Sequence, residues 1–214
     1  MDLNTFIDHT LLTPTATEKD IQTLCEEAVS FKFYAVCVNT CYVKFAKEQL
    51  AGSEVKVAAT VGFPLGASSS KAKITEAEEA VKAGADEIDM VINLGYAKDG
   101  HWEKVKNEIA AIKKAIGDSV LKVIIETCYL SEHEIRKACE TAMEANADFV
   151  KTSTGFGSRG ASFDDVKIMK EVVGEKLKIK ASGGIRDAGT AKKYIELGVS
   201  RIGTSSGKKI VSEA

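Results

Sequence analysis

The sequence has little of what marks several classes of protein. Its 214 residues include only two prolines and one tryptophan, and its basic and acidic residues nearly balance, for a formal net charge of -2. Nucleic-acid binders typically carry clustered basic excess, so this balance argues against a nucleic-acid partner. With 44% hydrophobic residues, the chain is typical of neither disordered nor fibrous proteins. We therefore expect a globular fold.

Cysteine motifs and long apolar runs are also scarce. The five cysteines form no C-x-x-C pair, so the sequence favours neither a disulfide framework nor a zinc site, and we expect no metal. No apolar run approaches the roughly 18 residues that a membrane span needs, and the chain begins without a signal-peptide pattern. We expect a cytoplasmic protein with no membrane partner.

Helical periods recur along the whole chain. Apolar residues spaced i, i+3, i+4 and i+7 predict seven helices and a short C-terminal turn after Ser206. Capping-box pairs, Thr17 with Asp20 and Ser131 with Glu134, predict two helix starts. The predicted helices cover 21–29, 42–50, 71–83, 105–116, 135–143, 166–173 and 187–197.

Short apolar runs between the helices are typical of buried parallel strands. They cover 6–10, 34–39, 55–61, 87–94, 121–127, 149–153, 177–182 and 201–204. Eight such β/α units most economically close into a TIM (β/α)8 barrel, and a doubly wound open sheet is the alternative. Because no Pro, Gly or Ser-rich linker divides the chain, we predict one α/β domain over residues 1–214.

Polar residues break the apolar pattern of these strands, and they share one parity. In the strand 87–94 the even-numbered residues are apolar and can face the helices, which turns the odd-numbered polar residues inward. The same reasoning applies to strands 1, 6 and 7. The residues predicted to face the barrel interior are Asp8, Thr10, Glu87, Asp89, Asn93, Lys151 and Lys180.

Two lysines therefore converge inside one predicted barrel. Desolvation and like-charge repulsion both lower the pKa of a lysine, so one lysine can make its neighbour a neutral amine, the form that attacks a carbonyl. A single lysine at such a position is more often an exposed strand end or half of an ion pair. Lys151 and Lys180 lie on neighbouring strands of the same parity, and this favours a nucleophile.

The turns after the last three strands predict an anion site. They read TSTG at 152, SGG at 182 and GTSS at 203, at the barrel rim where active sites form. Glycine backbones and hydroxyls suit a phosphate, although ordinary turn chemistry uses the same residues. The G-x-G-x-x-G match at 155–160 does not open a helix directly, so we predict no dinucleotide cofactor.

Several segments together resemble the deoxyribose-phosphate aldolase family. They are IDHTLL at 7, AVCVN at 35, GFPLG at 62, EIDMVINLG at 87, FVKTSTGF at 149, KASGGIR at 180 and GTSSG at 203. They follow the family's order, and FVKTSTGF with KASGGIR is highly specific. The resemblance implies a class I aldolase with a barrel fold and no cofactor. Its reaction would be reversible cleavage of 2-deoxy-D-ribose 5-phosphate to D-glyceraldehyde 3-phosphate and acetaldehyde through a lysine Schiff base.

The resemblance also implies residue roles. Lys151 would be the Schiff-base nucleophile, Lys180 would tune its pKa, and Asp89 would take part in proton transfer. Asp8 and Thr10 would meet substrate hydroxyls. The implied phosphate-binding residues are Gly155, Gly183, Gly184, Gly203, Ser205 and Ser206. Relatives are often dimers, so a homodimer is expected.

Some residues depart from the family pattern or leave alternatives open. Phe156 stands where some relatives have a phosphate-binding lysine, so that contact is lost or passes to Arg159. The sequence ends at Ala214 without the terminal tyrosine of many members, which predicts either slower turnover or a trimmed end. Glu126 points into the barrel or forms an ion pair, and His9 packs outside. The alternative functions are another sugar-phosphate enzyme, such as an epimerase or a transaldolase-like enzyme, and a catalytically silent sugar-phosphate binding protein.

Overall fold

The computed structural model describes residues 2–214, and its eight parallel strands close into a barrel in sequence order. Pairing of Ile7 with Ile202 joins the first strand to the last. This closure confirms the barrel and excludes the open sheet. The strands are β1 Ile7–Leu11, β2 Ala35–Asn39, β3 Lys56–Val61, β4 Glu87–Val91, β5 Val120–Ile124, β6 Phe149–Lys151, β7 Lys178–Ser182 and β8 Arg201–Thr204.

Helices connect the strands and cover the outside of the barrel. They are α1 Glu18–Ser30, α2 Val43–Gln49, α3 Ser70–Lys82, α4 Leu94–Lys98, α5 Trp102–Ala115, α6 Glu132–Glu144, α7 Phe163–Val173, α8 Ala188–Glu196 and α9 Gly207–Ser212. The two predicted capping boxes, at Thr17 and Ser131, are present and begin α1 and α6. Among the described residues, no helix is long and apolar enough to cross a bilayer.

The main apolar core lies between the barrel wall and the helices. Alternate strand residues such as Ile88, Met90, Val123, Val150 and Ile179 are almost completely buried there. Each fully buried side chain of this kind stabilises the fold by about 1.5–3 kcal/mol. The opposite parity faces the barrel axis, so the wall separates an apolar layer outside from a polar interior.

Three strands end earlier than the sequence predicts. The sequence predicts that β4 reaches residue 94, β5 residue 127 and β6 residue 153. They end instead at Val91, Ile124 and Lys151, respectively. Asn93 does not point into the barrel, because its side chain accepts a hydrogen bond from the Tyr96 N–H and begins α4. Apolar composition does not reveal where a buried strand turns into a loop, and for β4 the side-chain cap formed by Asn93 marks that point.

Candidate active site

Seven charged side chains meet inside the barrel. All are buried, and they comprise three carboxylates and four cations: Asp8, Glu87, Asp89, Lys122, Lys151, Lys180 and Arg201. We call these seven residues the interior cluster. Buried charges are tolerated when they are paired, so each member has to be explained by its partners.

Asp89 is the centre of the interior cluster. One of its oxygens accepts from Lys122 at 2.7 Å, and the other accepts from both Lys151 and Lys180 at 2.8 Å. Strand register explains the meeting, since Lys151 pairs with Lys180 between β6 and β7, and Asp89 pairs with Lys122 between β4 and β5. The predicted inward parity of Asp89, Lys151 and Lys180 is confirmed.

Asp8 and Glu87 pair with the remaining cations. Asp8 accepts from Lys180 and, at 2.8 Å, from Arg201. Glu87 lies 2.5 Å from Lys122 and 3.3 Å from Arg201. The Arg201 guanidinium also stacks on the Tyr34 ring, 3.3 Å from its centroid. These contacts hold Lys122, Lys180 and Arg201 in place against the three carboxylates.

The cluster strongly shifts several pKa values. Burial acts to raise the pKa of Asp8, but Lys180, Arg201 and Lys122 outweigh it and lower that pKa to about 2. The pKa of Asp89 is held well below its ordinary range, because Lys122, Lys151 and Lys180 likewise outweigh burial. Burial alone would lower the pKa of Lys180, yet Asp8 and Asp89 raise it. Lys180 is therefore protonated at neutral pH.

A cavity of about 300 Å³ opens above the cluster, at the carboxyl ends of the strands. Of the four cluster cations, Lys151 alone lines it. Asp8 lies below and is fully buried, so its predicted contact with a substrate hydroxyl stays a prediction. Thr10 does line the cavity. The interior cluster thus presents a single amine to any bound molecule.

Glycines and hydroxyls form one wall of this cavity. Of the predicted phosphate-binding residues, the lining includes Gly155, Gly183, Gly184, Gly203 and Ser205. Ser206 lies beside them, with its N–H donating to the Thr204 hydroxyl at the start of α9, outside the lining. A Cβ atom at Gly203 would approach Lys180 Cε to 3.0 Å, so glycine leaves room for that lysine.

Three functional candidates escaped the sequence analysis. Lys122 sits in β5 between Leu121 and Val123, and the parity argument that found Lys180 would have found it. Arg201 is the first residue of β8, where a charged residue looks like an exposed strand end. Arg186 belongs to the KASGGIR segment, and the structure places it in the cavity lining.

The structure also shows the contacts of the residues for which the sequence left more than one role open. Arg159 bonds to Asp165 and to the Gly160 carbonyl, and it is not among the lining residues, whereas Phe156 is. Glu126 is predicted to point inward or to form an ion pair; its carboxylate accepts from Thr154 and forms no ion pair with the described residues. His9 packs outside the barrel as predicted, with Nε2 2.9 Å from Glu27.

The described residues contain no group of three or more His, Cys, Asp and Glu side chains that could hold a metal ion. The cavity wall offers backbone N–H groups, hydroxyls and one guanidinium, which suit an anionic ligand. The chemistry available to the residues is therefore amine chemistry beside an anion-binding wall.

Acid should weaken the fold through Asp8. Its pKa falls from 3.8 to about 2 in the fold, which contributes about 2 kcal/mol at neutral pH. Because the folded pKa is lower, this contribution is complete above the unfolded value and is lost as pH falls through the folded value. Urea unfolding of the wild type should lose stability between about pH 4 and pH 2 more steeply than Asp8→Asn. Equal slopes would contradict the assignment.

Comparison with known proteins identifies the family. A family model described as DeoC/LacD family aldolase matches residues 3–213. The chain belongs to this family. It is 55% identical to the deoxyribose-phosphate aldolase of Caldanaerobacter subterraneus subsp. tengcongensis, over 100% of this chain and 94% of the relative. The predicted resemblance is confirmed, and the chain is an aldolase, that is, a carbon–carbon lyase.

Solved structures of DeoC/LacD relatives agree with the fold. A crystal structure of a putative deoxyribose-phosphate aldolase from Coccidioides immitis superimposes with a TM-score of 0.97 at 40% identity, covering 99% of this chain and 85% of that one. The tetrameric deoxyribose phosphate aldolase of Aeropyrum pernix gives a TM-score of 0.90 at 32% identity, covering 98% and 89%. Neither the epimerase nor the silent binding protein finds support in these relatives.

Proposed function

We propose that this aldolase reversibly cleaves 2-deoxy-D-ribose 5-phosphate to D-glyceraldehyde 3-phosphate and acetaldehyde, with Lys151 as the Schiff-base nucleophile. One observation carries the proposal. Of the four buried cations of the interior cluster, Lys151 alone lines the cavity, whose wall suits an anion. The substrate is inferred from the relatives that are named deoxyribose-phosphate aldolases.

The charges of the interior cluster distinguish Lys151 from the other three cations. Three carboxylates face four cations, so the interior cluster carries one surplus positive charge when every lysine is protonated. Lys180 is held protonated by Asp8 and Asp89, whereas Lys151 pairs with Asp89 alone. Lys151 is therefore the amine that attacks.

The chemistry follows from that amine. Lys151 condenses with the C1 aldehyde of the substrate, and the protonated imine accepts the electron pair when the C2–C3 bond breaks. The C3 hydroxyl loses its proton to a base, and the resulting enamine must be protonated at carbon. Lys180 is the proton donor. Asp89 lies 2.8 Å from both lysine nitrogens, and it holds a proton only briefly because its pKa is low.

The phosphate end of the substrate would meet the glycine and hydroxyl wall. Backbone N–H groups at Gly155, Gly183, Gly184 and Gly203 can approach an oxyanion closely, and Ser205 with the nearby Ser206 adds donors. Arg186 lines the same cavity, and its guanidinium would supply the charge. Arg159 is occupied by Asp165, which favours Arg186 as the phosphate contact.

Arg186→Leu should raise the KM for 2-deoxy-D-ribose 5-phosphate about tenfold or more, because a charge-assisted hydrogen bond to the phosphate is lost. Steady-state kinetics on phosphorylated and unphosphorylated 2-deoxy-D-ribose measure the effect, and the unphosphorylated sugar should show no change. Arg159→Leu is the matched control and should leave both KM values within about twofold. A larger effect at Arg159 would mean that the phosphate contact passes to that residue.

The substrate itself is tested with the wild-type protein. Release of glyceraldehyde 3-phosphate from 2-deoxy-D-ribose 5-phosphate, coupled to its dehydrogenase, should be readily detected. Epimerisation of a pentose phosphate without carbon–carbon cleavage would overturn the proposal. The homodimer and the cytoplasmic location stay predictions, and sedimentation would separate a dimer from the tetramer of the Aeropyrum pernix relative.

A further inference from the structure

Glu126 is a buried carboxylate that the proposed mechanism does not use. It follows β5, is 2% exposed, and adopts a φ of 50°, in the left-handed region that non-glycine residues disfavour. Backbones persist in this region only where their surroundings require it, and such positions gather near functional sites. The contacts of Glu126 should therefore reveal what its conformation achieves.

Those contacts reach the loop that follows Lys151. Both Glu126 oxygens accept from the Thr154 N–H at 3.2 Å, and one also accepts from the Thr154 hydroxyl. A buried carboxylate usually faces a cation, but here the donors belong to a neighbouring loop. Glu126 is thus tied to the residue three positions beyond the proposed nucleophile.

Thr154 passes this constraint on to the cavity wall. Its hydroxyl oxygen accepts from the Phe156 N–H at 3.0 Å, so hydrogen bonds run from Glu126 through Thr154 to Phe156. Thr154, Gly155 and Phe156 all line the cavity. The shape of this turn, including the direction of the Gly155 backbone, is set by an acceptor that lies behind it.

Gly157 shows how closely the loop packs against its support. A Cβ atom there would lie 2.5 Å from Cys128 Sγ and 3.3 Å from Glu126 Cδ. The loop over residues 154–157 therefore rests directly on the Glu126 side chain. A change in that side chain alters both a hydrogen bond and a packing surface.

We propose that Glu126 is a positioning residue, which holds the 154–157 loop in the shape that binds the phosphate of the substrate without itself touching substrate. The inference rests on the proposed function and deepens it. A carboxylate is required because both of its oxygens face donors. A glutamine would offer one oxygen and would turn its amide N–H groups toward the Thr154 N–H.

Glu126→Gln should raise the KM for 2-deoxy-D-ribose 5-phosphate about tenfold or more, with kcat changed by less than about threefold. The inhibition constant of inorganic phosphate, measured against cleavage of unphosphorylated 2-deoxy-D-ribose, should rise by a similar factor. The KM for the unphosphorylated sugar should not change. Glu126→Gly should behave alike, because glycine relieves the positive φ and keeps the variant folded.

The matched control is Glu76→Gln. Glu76 accepts from the Gly62 N–H at 2.8 Å and from the Thr40 hydroxyl at 3.2 Å, so it also ties a backbone amide after a strand, without a hydrogen bond to residues 154–157. The KM of the Glu76→Gln variant for 2-deoxy-D-ribose 5-phosphate should stay at the wild-type value. Two results would overturn this inference and leave the proposed function standing. One is an equal rise in the KM for both sugars, and the other is an unchanged KM in both Glu126 variants. A wild type that cleaves neither sugar would overturn the proposed function as well.

Discussion

Lys151→Ala should lower kcat for cleavage of 2-deoxy-D-ribose 5-phosphate by about 10⁵-fold or more, since no other cluster amine reaches the cavity and removal of a nucleophile costs that much. The coupled assay for glyceraldehyde 3-phosphate measures the loss. Lys178→Ala is the matched control, because this exposed lysine of the neighbouring strand β7 lies outside the cavity. It should retain the wild-type rate.

The same substitution should leave the fold intact. Without Lys151, the three carboxylates of the interior cluster face three cations, and the buried charge is balanced. We therefore expect a circular dichroism spectrum and a cooperative urea transition close to those of the wild type. A large loss of stability would show that the fold depends on the Lys151–Asp89 ion pair, which contradicts the charge balance of the remaining cluster.

Asp89→Asn should have the largest effect on stability. It removes the negative charge and one of the two acceptor oxygens that Lys122, Lys151 and Lys180 share, and it leaves two buried carboxylates facing four cations. Breaking a buried network in this way typically costs about 3 kcal/mol or more. Activity should fall about 10²-fold or more as well, because the path between the two lysine amines is lost. Urea denaturation and the cleavage assay measure the two effects.

A compensating variant separates charge balance from local disruption. Lys122→Met removes one cation from the partner strand, and combined with Asp89→Asn it restores the original surplus of one positive charge. The double variant should be more stable than the sum of its single changes predicts, by at least about 1 kcal/mol in a double-mutant cycle. Strict additivity would show that the buried charges do not act as one network.

Local signals in the sequence predicted much of the fold. The capping boxes at Thr17 and Ser131 involve residues three positions apart, so their geometry needs no distant partner. Strand parity is equally local, and it placed Asp89, Lys151 and Lys180 inside the barrel. Alternation along a strand specifies a face, which is why these three residues could be found before their contacts were known.

What escaped prediction depends on contacts between distant segments. The early end of β4 is the exception, because Asn93 begins α4 through a local bond to Tyr96, three positions along the chain. The left-handed backbone of Glu126 matters only because the loop after β6 lies against it. Lys122 followed the same parity as Lys180, but its importance lies in Glu87 and Asp89 on the neighbouring strand. Register and loop packing are long-range properties that a single strand pattern does not contain.

Chemical trapping of the imine tests the central claim most directly. The wild-type protein is incubated with acetaldehyde, reduced with borohydride, digested and mapped by mass spectrometry, with Lys151→Ala treated in parallel. We predict an ethyl adduct on Lys151 in the wild type and none on Lys122 or Lys180 in either protein. An adduct on another cluster lysine, or no adduct at Lys151 in an active preparation, would contradict the assignment of the nucleophile.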